Sequence, residues 1–281
     1  MTETAVLPSS PDQVVVERTL PLRQRLAGCT PLRRGLLLVF LAVLWQVYGT
    51  WANNPLMFPT FAETVRAFAD AVVQGSLPAK AWTSVKVLLI GYSMAVALAF
   101  TLAGLAASSR LGEDVLATLT SMFNPLPAIA LLPLALLWFG LGTPSLLFVL
   151  VHAVLWPLAL NASAGFAAVS ETLRMAGRNY GLTGWRYIAL ILMPAAFPSI
   201  LTGLKIGWAF AWRTLIAAEL VFGVASGSGG LGWFIFENKN RLETATVFAG
   251  LATVILIGLL VETLVFCTIE IHTVRKWGMQ R

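Results

Sequence analysis

The chain has 281 residues, of which 58% are hydrophobic and only 11% charged, with a mean hydropathy of +0.80, whereas a soluble domain carries about 25% charged residues. This balance excludes a soluble globular domain and marks an integral membrane protein. The net charge of +6 comes from basic residues scattered along loop ends, so a topological role explains it and no nucleic-acid partner is expected.

Residues 1–34 are polar, contain Pro8, Pro11, Pro21 and Pro31, and carry Arg18, Arg23, Arg25, Arg33 and Arg34. They read as a mostly disordered cytoplasmic tail, too long and basic for a cleavable signal peptide. A spanning helix needs about 20 mostly apolar residues, and six segments qualify: Gly35 to Trp51, Val85 to Ala107, Val115 to Phe139, Pro144 to Ala164, Pro198 to Val221 and Thr246 to Ile269. The expected fold is therefore an all-α membrane protein with six transmembrane helices. The membrane domain covers 35–269, and 270–281 forms a cytoplasmic C-terminal tail. Between spans one and two, Phe61, Val65, Phe68, Ala69 and Val72 predict a short amphipathic helix on the outer face of the bundle.

Lys and Arg are enriched in cytoplasmic loops. With the N-terminus inside, thirteen fall on cytoplasmic segments (the five of the tail, Arg110, Arg174, Arg178, Arg186, Lys205, Arg275, Lys276 and Arg281). Five fall outside (Arg66, Lys80, Lys86, Lys239 and Arg241), and Arg213 lies within span five. Both termini are thus expected in the cytoplasm, together with the segment between spans four and five.

That segment, Ser170 to Pro194, is the one polar, Gly-spaced stretch in the middle of the chain. Ser170 is placed to cap a helix, and Glu171 suits the positive end of its dipole. Leu173, Ala176, Gly177, Tyr180 and Gly181 share one face that another protein can approach closely, with Arg174 and Arg178 pointing elsewhere. Gly181 ends this helix, Thr183 opens a second, and Pro194 is expected to break the chain before span five.

The stretch Ala176 to Pro194 resembles the EAA loop of ABC-importer permeases, in which a glycine and nine intervening residues precede Ile-x-Leu-Pro; here Gly181, Ile191 and Pro194 hold those places. Met175 stands where that family has Glu, Gly177 replaces its second Ala, and Met193 its Leu. Further blocks, among them Pro125 to Pro133, Leu137 to Gly140, Pro194 to Lys205, Ala217 to Glu219 and Gly230 to Gly232, resemble the nitrate/sulfonate/taurine group of permeases. Together the blocks cover about residues 55–277. The resemblance implies an ABC-importer permease fold with coupling helices between spans four and five, in the bacterial inner membrane. It implies a homodimer, two copies of a cytoplasmic ATPase, an external substrate-binding protein and a small, mostly anionic solute. It assigns ATPase coupling to Arg174, Ala176, Gly177, Arg178, Gly181, Ile191 and Pro194. No phosphate loop occurs in this chain, so ATP hydrolysis is expected on another polypeptide; no catalytic constellation, cofactor or metal site is expected in this one.

The translocation pathway is assigned to Arg213, Glu219, Pro127 and Pro133. An arginine within a span needs a cavity or a partner; Arg213 either meets the anion or pairs with a carboxylate such as Glu262. It is not on the face of Glu219, because six residues turn a helix by about 240°. Pro125, Pro127 and Pro133 bend span three, for a cavity or for packing. His152 is expected as a hydrogen-bonded packing residue. A self-sufficient carrier or channel driven by an ion gradient is the second reading; it predicts paired intramembrane carboxylates and inverted repeats.

Overall fold

A computed structural model describes residues 30–73, 75–222 and 229–276, and the regular secondary structure among them is helical throughout. Residues 1–29 and 277–281 of the expected tails lie outside the described residues. The described residues open with α1 (Thr30–Ala52), α2 (Phe61–Val73), α3 (Leu77–Ser108) and α4 (Arg110–Phe123). A 3-10 turn (Ala128–Leu131) leads into α5 (Leu132–Phe139), followed by α6 (Thr143–Ala167) and α7 (Glu171–Asn179). Next come α8 (Gly184–Tyr187), a π turn (Ile188–Leu192) and α9 (Met193–Phe222). The described residues close with α10 (Leu231–Asn240), α11 (Thr244–Leu260), a π turn (Val261–Phe266), α12 (Cys267–Glu270) and a further π turn (Ile271–Arg275). Among the described residues, helix is found from Thr30 to Arg275, on both sides of the expected membrane domain.

Among the described residues, five helical runs are long and apolar enough to cross a membrane: Gly35–Ala52, Leu77–Ser108, Thr143–Ala167, Gly184–Val221 and Thr244–Val274. Arg110–Phe123 and Ala128–Phe139, bent by 85° at their junction, make a sixth when counted as one span. The expected third span is therefore bent, as two helices with a sharp break between them. Pro125 and Pro127 have no N–H to carry the i to i−4 ladder through the junction, and Pro127 takes an extended conformation (ψ 120°). Pro133 falls in the first turn of α5, where its missing donor is harmless.

The α6 helix is the centre of the bundle: half of its apolar window is buried, against 6% for α1. On α3 the fully buried Ala95, Ala99 and Ala103 recur every four residues and present a smooth face. From the other side, α9 approaches through Gly203 and Gly207. A methyl group added at Gly203 would lie 2.7 Å from Asn161 Cβ, and one at Gly207 3.0 Å from Val154 Cγ1. The small-residue series on α9 therefore serves close packing on α6, as such series do in membranes.

Three local expectations change. Pro194 does not break the chain, which stays helical from Gly184 to Val221. The π turn just before it already hydrogen-bonds at the longer i to i−5 spacing, with Met193 N–H bonded to Ile188 O, and absorbs the missing donor. On α2 the inward residues are Thr64, Ala67, Phe68 and Ala71, whereas Phe61, Val65 and Val72 are exposed. The buried stripe is thus rotated from the expected one, because α2 packs mainly on α11. Lys205 lies within α9 and not in a loop, and its Nζ pairs with Glu270 Oε2 at 2.7 Å.

Candidate functional site

The loop between α6 and α9 is built by its glycines. Ser170 occupies the N-cap of α7, but its hydroxyl makes no capping bond; its carbonyl accepts from Leu173 N and Arg174 N, both at 3.1 Å. At the far end Leu182 N donates to Gly177 O at 3.1 Å and Gly181 N to Arg178 O at 2.9 Å, the bonding of a Schellman motif. Gly181 has φ +71°, and nothing lies within 4 Å of a Cβ placed there. Backbone conformation, not crowding, is what requires glycine at that position.

Gly177 has the opposite reason. It is buried, and a Cβ there would sit 2.9 Å from Ile191 Cγ1 and 3.1 Å from Tyr187 Cε2. Two of the residues singled out in the sequence, Gly177 and Ile191, are therefore each other's neighbours and clamp α7 onto the π turn. Arg174 also turns inward: its Nη2 donates to Phe166 O at 2.5 Å and its Nε to Val169 O at 3.1 Å. A cation on carbonyls at the C-terminal end of α6 is favourable both as hydrogen bond and against the dipole. The expected single face of small residues is thus split. Ala176 and Gly177 are turned to the bundle, while Met175 (51% exposed), Tyr180 (85%) and Trp185 (75%) form the outer surface with Leu173, Arg178 and Gly181. Pro194 is exposed just beyond the π turn.

A cavity of about 440 Å³ opens where span three breaks. Pro127 and Arg213 both line it, with Phe123, Asn124, His152, Trp156, Phe210 and Thr214; Pro133 and Glu219 do not. Arg213 is exposed, donates from Nε to Ala209 O at 3.0 Å, and holds its guanidinium carbon 4.8 Å from the Phe210 ring centroid. No carboxylate among the described residues lies within ion-pair distance of it, and Glu262 is not its partner. His152 is not hydrogen-bonded: both ring nitrogens, like Trp156 Nε1, are shielded and have no partner among the described residues. The two rings sit 6.1 Å apart, one turn apart on α6. That i, i+4 spacing was the sequence signal that linked them, and an isolated reading of His152 misses it.

Glu219, outside the cavity lining, is held by hydrogen bonds. It is 5% exposed and fixes the start of α10. Ser84 Oγ donates to its carboxylate at 2.7 to 2.8 Å, Gly232 N donates to Oε2 at 2.9 Å, and Leu231 N donates to Ser84 Oγ at 2.8 Å. A carboxylate accepting the first N–H groups of a helix satisfies donors that have no partner inside it. Gly230 and Gly232 leave the room: a Cβ on Gly230 would collide with Ser84 Oγ and Glu219 Oε1. Glu219 thus pins α3, α9 and α10 together.

Residues 94–267, covering the broken span, the glycine-built loop and the cavity, match the family described as binding-protein-dependent transport system inner membrane component. The taurine transport system permease protein of Escherichia coli is 30% identical over 251 residues, 87% of this chain and 90% of that protein. The nitrate import permease protein of Synechocystis sp. is 29% identical over 238 residues, 82% of this chain and 85% of that protein. With its apolar helical runs, this chain is a multi-pass transport permease of the inner membrane, and it belongs to the family of binding-protein-dependent transport system inner membrane components.

Proposed function

We propose that the chain is the membrane-spanning subunit of an ATP-driven importer for a small anion, such as a sulfonate or nitrate, delivered by an external binding protein. Two copies of the chain form the membrane part, and two copies of a separate ATPase dock on the loop centred on α7. The observation that carries this reading is how that loop is fastened. Arg174 ties it to the end of α6 and the Gly177–Ile191 contact ties it to the run leading into α9. A push on α7 therefore reaches both central helices without slack, as alternating access requires.

The exposed Tyr180 and Trp185 supply the apolar contact for the ATPase, with Arg178 beside them. Met175 in place of an acidic residue means that this surface docks through packing more than through an ion pair. The Lys and Arg distribution supports a cytoplasmic position for the loop and both termini. The names of the taurine and nitrate permeases support the anionic solute, as does Arg213 in the cavity wall. The two copies pair through α5, whose Leu137 and Trp138 are exposed.

Site-specific crosslinking tests the docking. A photoreactive group at Tyr180, in membranes containing the full complex, is expected to capture the ATPase chain. A group at Trp138 is expected to capture the second copy of this chain. Capture of lipid alone from Tyr180 rejects the docking surface.

A further inference from the structure

We propose that the Arg213 cavity is a binding site for the oxyanion headgroup of the solute, in which Trp156 Nε1–H and His152 complete a donor set that Arg213 begins. The inference rests on the reading of the chain as an importer for a small anion, and it places selectivity in the membrane subunit itself.

The charge in the wall fits one class of ligand. Arg213 is the one formally charged residue among those lining the cavity, and no Asp or Glu stands there. A single guanidinium without a counter-charge suits a monoanion and repels a cation. The polar atoms fit the same class. Trp156 is only 8% exposed, yet its indole N–H has no acceptor among the described residues, and neither ring nitrogen of His152 has a partner. A buried polar group left unpaired costs about 1–3 kcal/mol. Two such residues one turn apart on α6, in the wall that also holds Arg213, form a donor array in want of an acceptor.

The rest of the wall is aromatic and apolar. Phe123 stacks on Trp156 with centroids 5.2 Å apart and planes 15° apart, and meets His152 edge-on at 6.3 Å. About 440 Å³ holds an oxyanion headgroup with a short organic tail. Phe123 is the last residue of α4 before the break, so the ring that covers Trp156 belongs to the broken span.

The test uses the assembled permease–ATPase complex in nanodiscs without its binding protein, titrated by calorimetry with ethanesulfonate and with nitrate. Uptake of both anions by the complex supplemented with its binding protein is measured in parallel. The wild-type complex is expected to bind one anion saturably. Trp156→Phe, which keeps the ring and removes the N–H, weakens that binding about tenfold, and Arg213→Gln abolishes it. Trp82→Phe, exposed on α3 and outside the cavity, leaves it unchanged. Tighter binding of ethanesulfonate assigns the site to an organic sulfonate, and tighter binding of nitrate assigns it to a bare oxyanion. Binding that survives both Trp156→Phe and Arg213→Gln overturns the site. So does a wild-type complex that imports either anion yet binds neither without the binding protein, a result that does not depend on any variant folding. A complex that imports neither anion overturns the anion-importer reading instead.

Discussion

The Arg174 guanidinium donates to the Phe166 carbonyl at 2.5 Å and to the Val169 carbonyl at 3.1 Å, which makes a residue of the loop helix the cap of the central helix of the bundle. The loop is therefore part of the frame of the membrane domain and not a linker laid over it. Arg174→Ala removes both bonds from a half-buried position and is expected to lower stability by about 1–2 kcal/mol. The sharper consequence is functional: ATP hydrolysis by the complex continues while uptake per ATP falls. Arg174→Lys, which replaces the two-pronged donor by a single ammonium, recovers only part of the coupling. Hydrolysis and uptake measured on the same vesicles check this.

Gly177 and Gly181 separate two reasons for glycine. Gly177→Val drives a side chain into Ile191 and Tyr187, and overpacking of this kind costs about 1–3 kcal/mol. Gly181→Ala and Gly181→Leu are expected to cost the same as each other, about 1 kcal/mol, because the position is sterically open and only its positive φ penalises a side chain. Gly181→Asn costs less. Thermal unfolding of the four variants in detergent reads the order directly.

Glu219 is a pin, and its replacement should act on stability rather than on solute affinity. Glu219→Ala strands the Ser84 hydroxyl and the Gly232 N–H, each about 1–3 kcal/mol when left without a partner. Glu219→Gln retains acceptor capacity and is milder. Protein that still assembles is expected to show an unchanged half-saturation for uptake; a shifted one would place Glu219 in the pathway.

The ion pair between Lys205 and Glu270 ties α9 to α12 with both side chains less than a third exposed (28% and 21%). A double-mutant cycle with Lys205→Met and Glu270→Met should return a coupling energy of about 0.5–3 kcal/mol. Each single variant is expected to be less stable than the double one, since a partly buried charge without its partner is worse than an apolar pair.

The spans were legible because length and hydropathy suffice to identify them, and Gly181 was legible because a helix-ending glycine has few other uses. What escaped depended on neighbours distant in the chain. Pro194 looked like a break because a proline disrupts an α-helix; nothing local announced the π turn that accommodates it. Lys205 looked like a loop charge because Glu270 lies 65 residues away. Arg213 was recognised as needing a cavity or a partner, yet its companions His152 and Trp156 come from another helix, and Glu219, only six residues further on, is bonded to Ser84. The short helix α2 was placed correctly in the chain but not in rotation, since α11 and not a generic core decides which of its faces is covered.

Reconstitution into vesicles tests the central claim most directly. The permease is incorporated alone, and with its ATPase and binding proteins, and uptake of labelled ethanesulfonate or nitrate is followed with and without ATP and with an imposed ion gradient. The account predicts uptake of one of these anions only when ATPase, binding protein and ATP are all present. Uptake by the permease alone under an ion gradient would contradict it and identify a self-sufficient carrier.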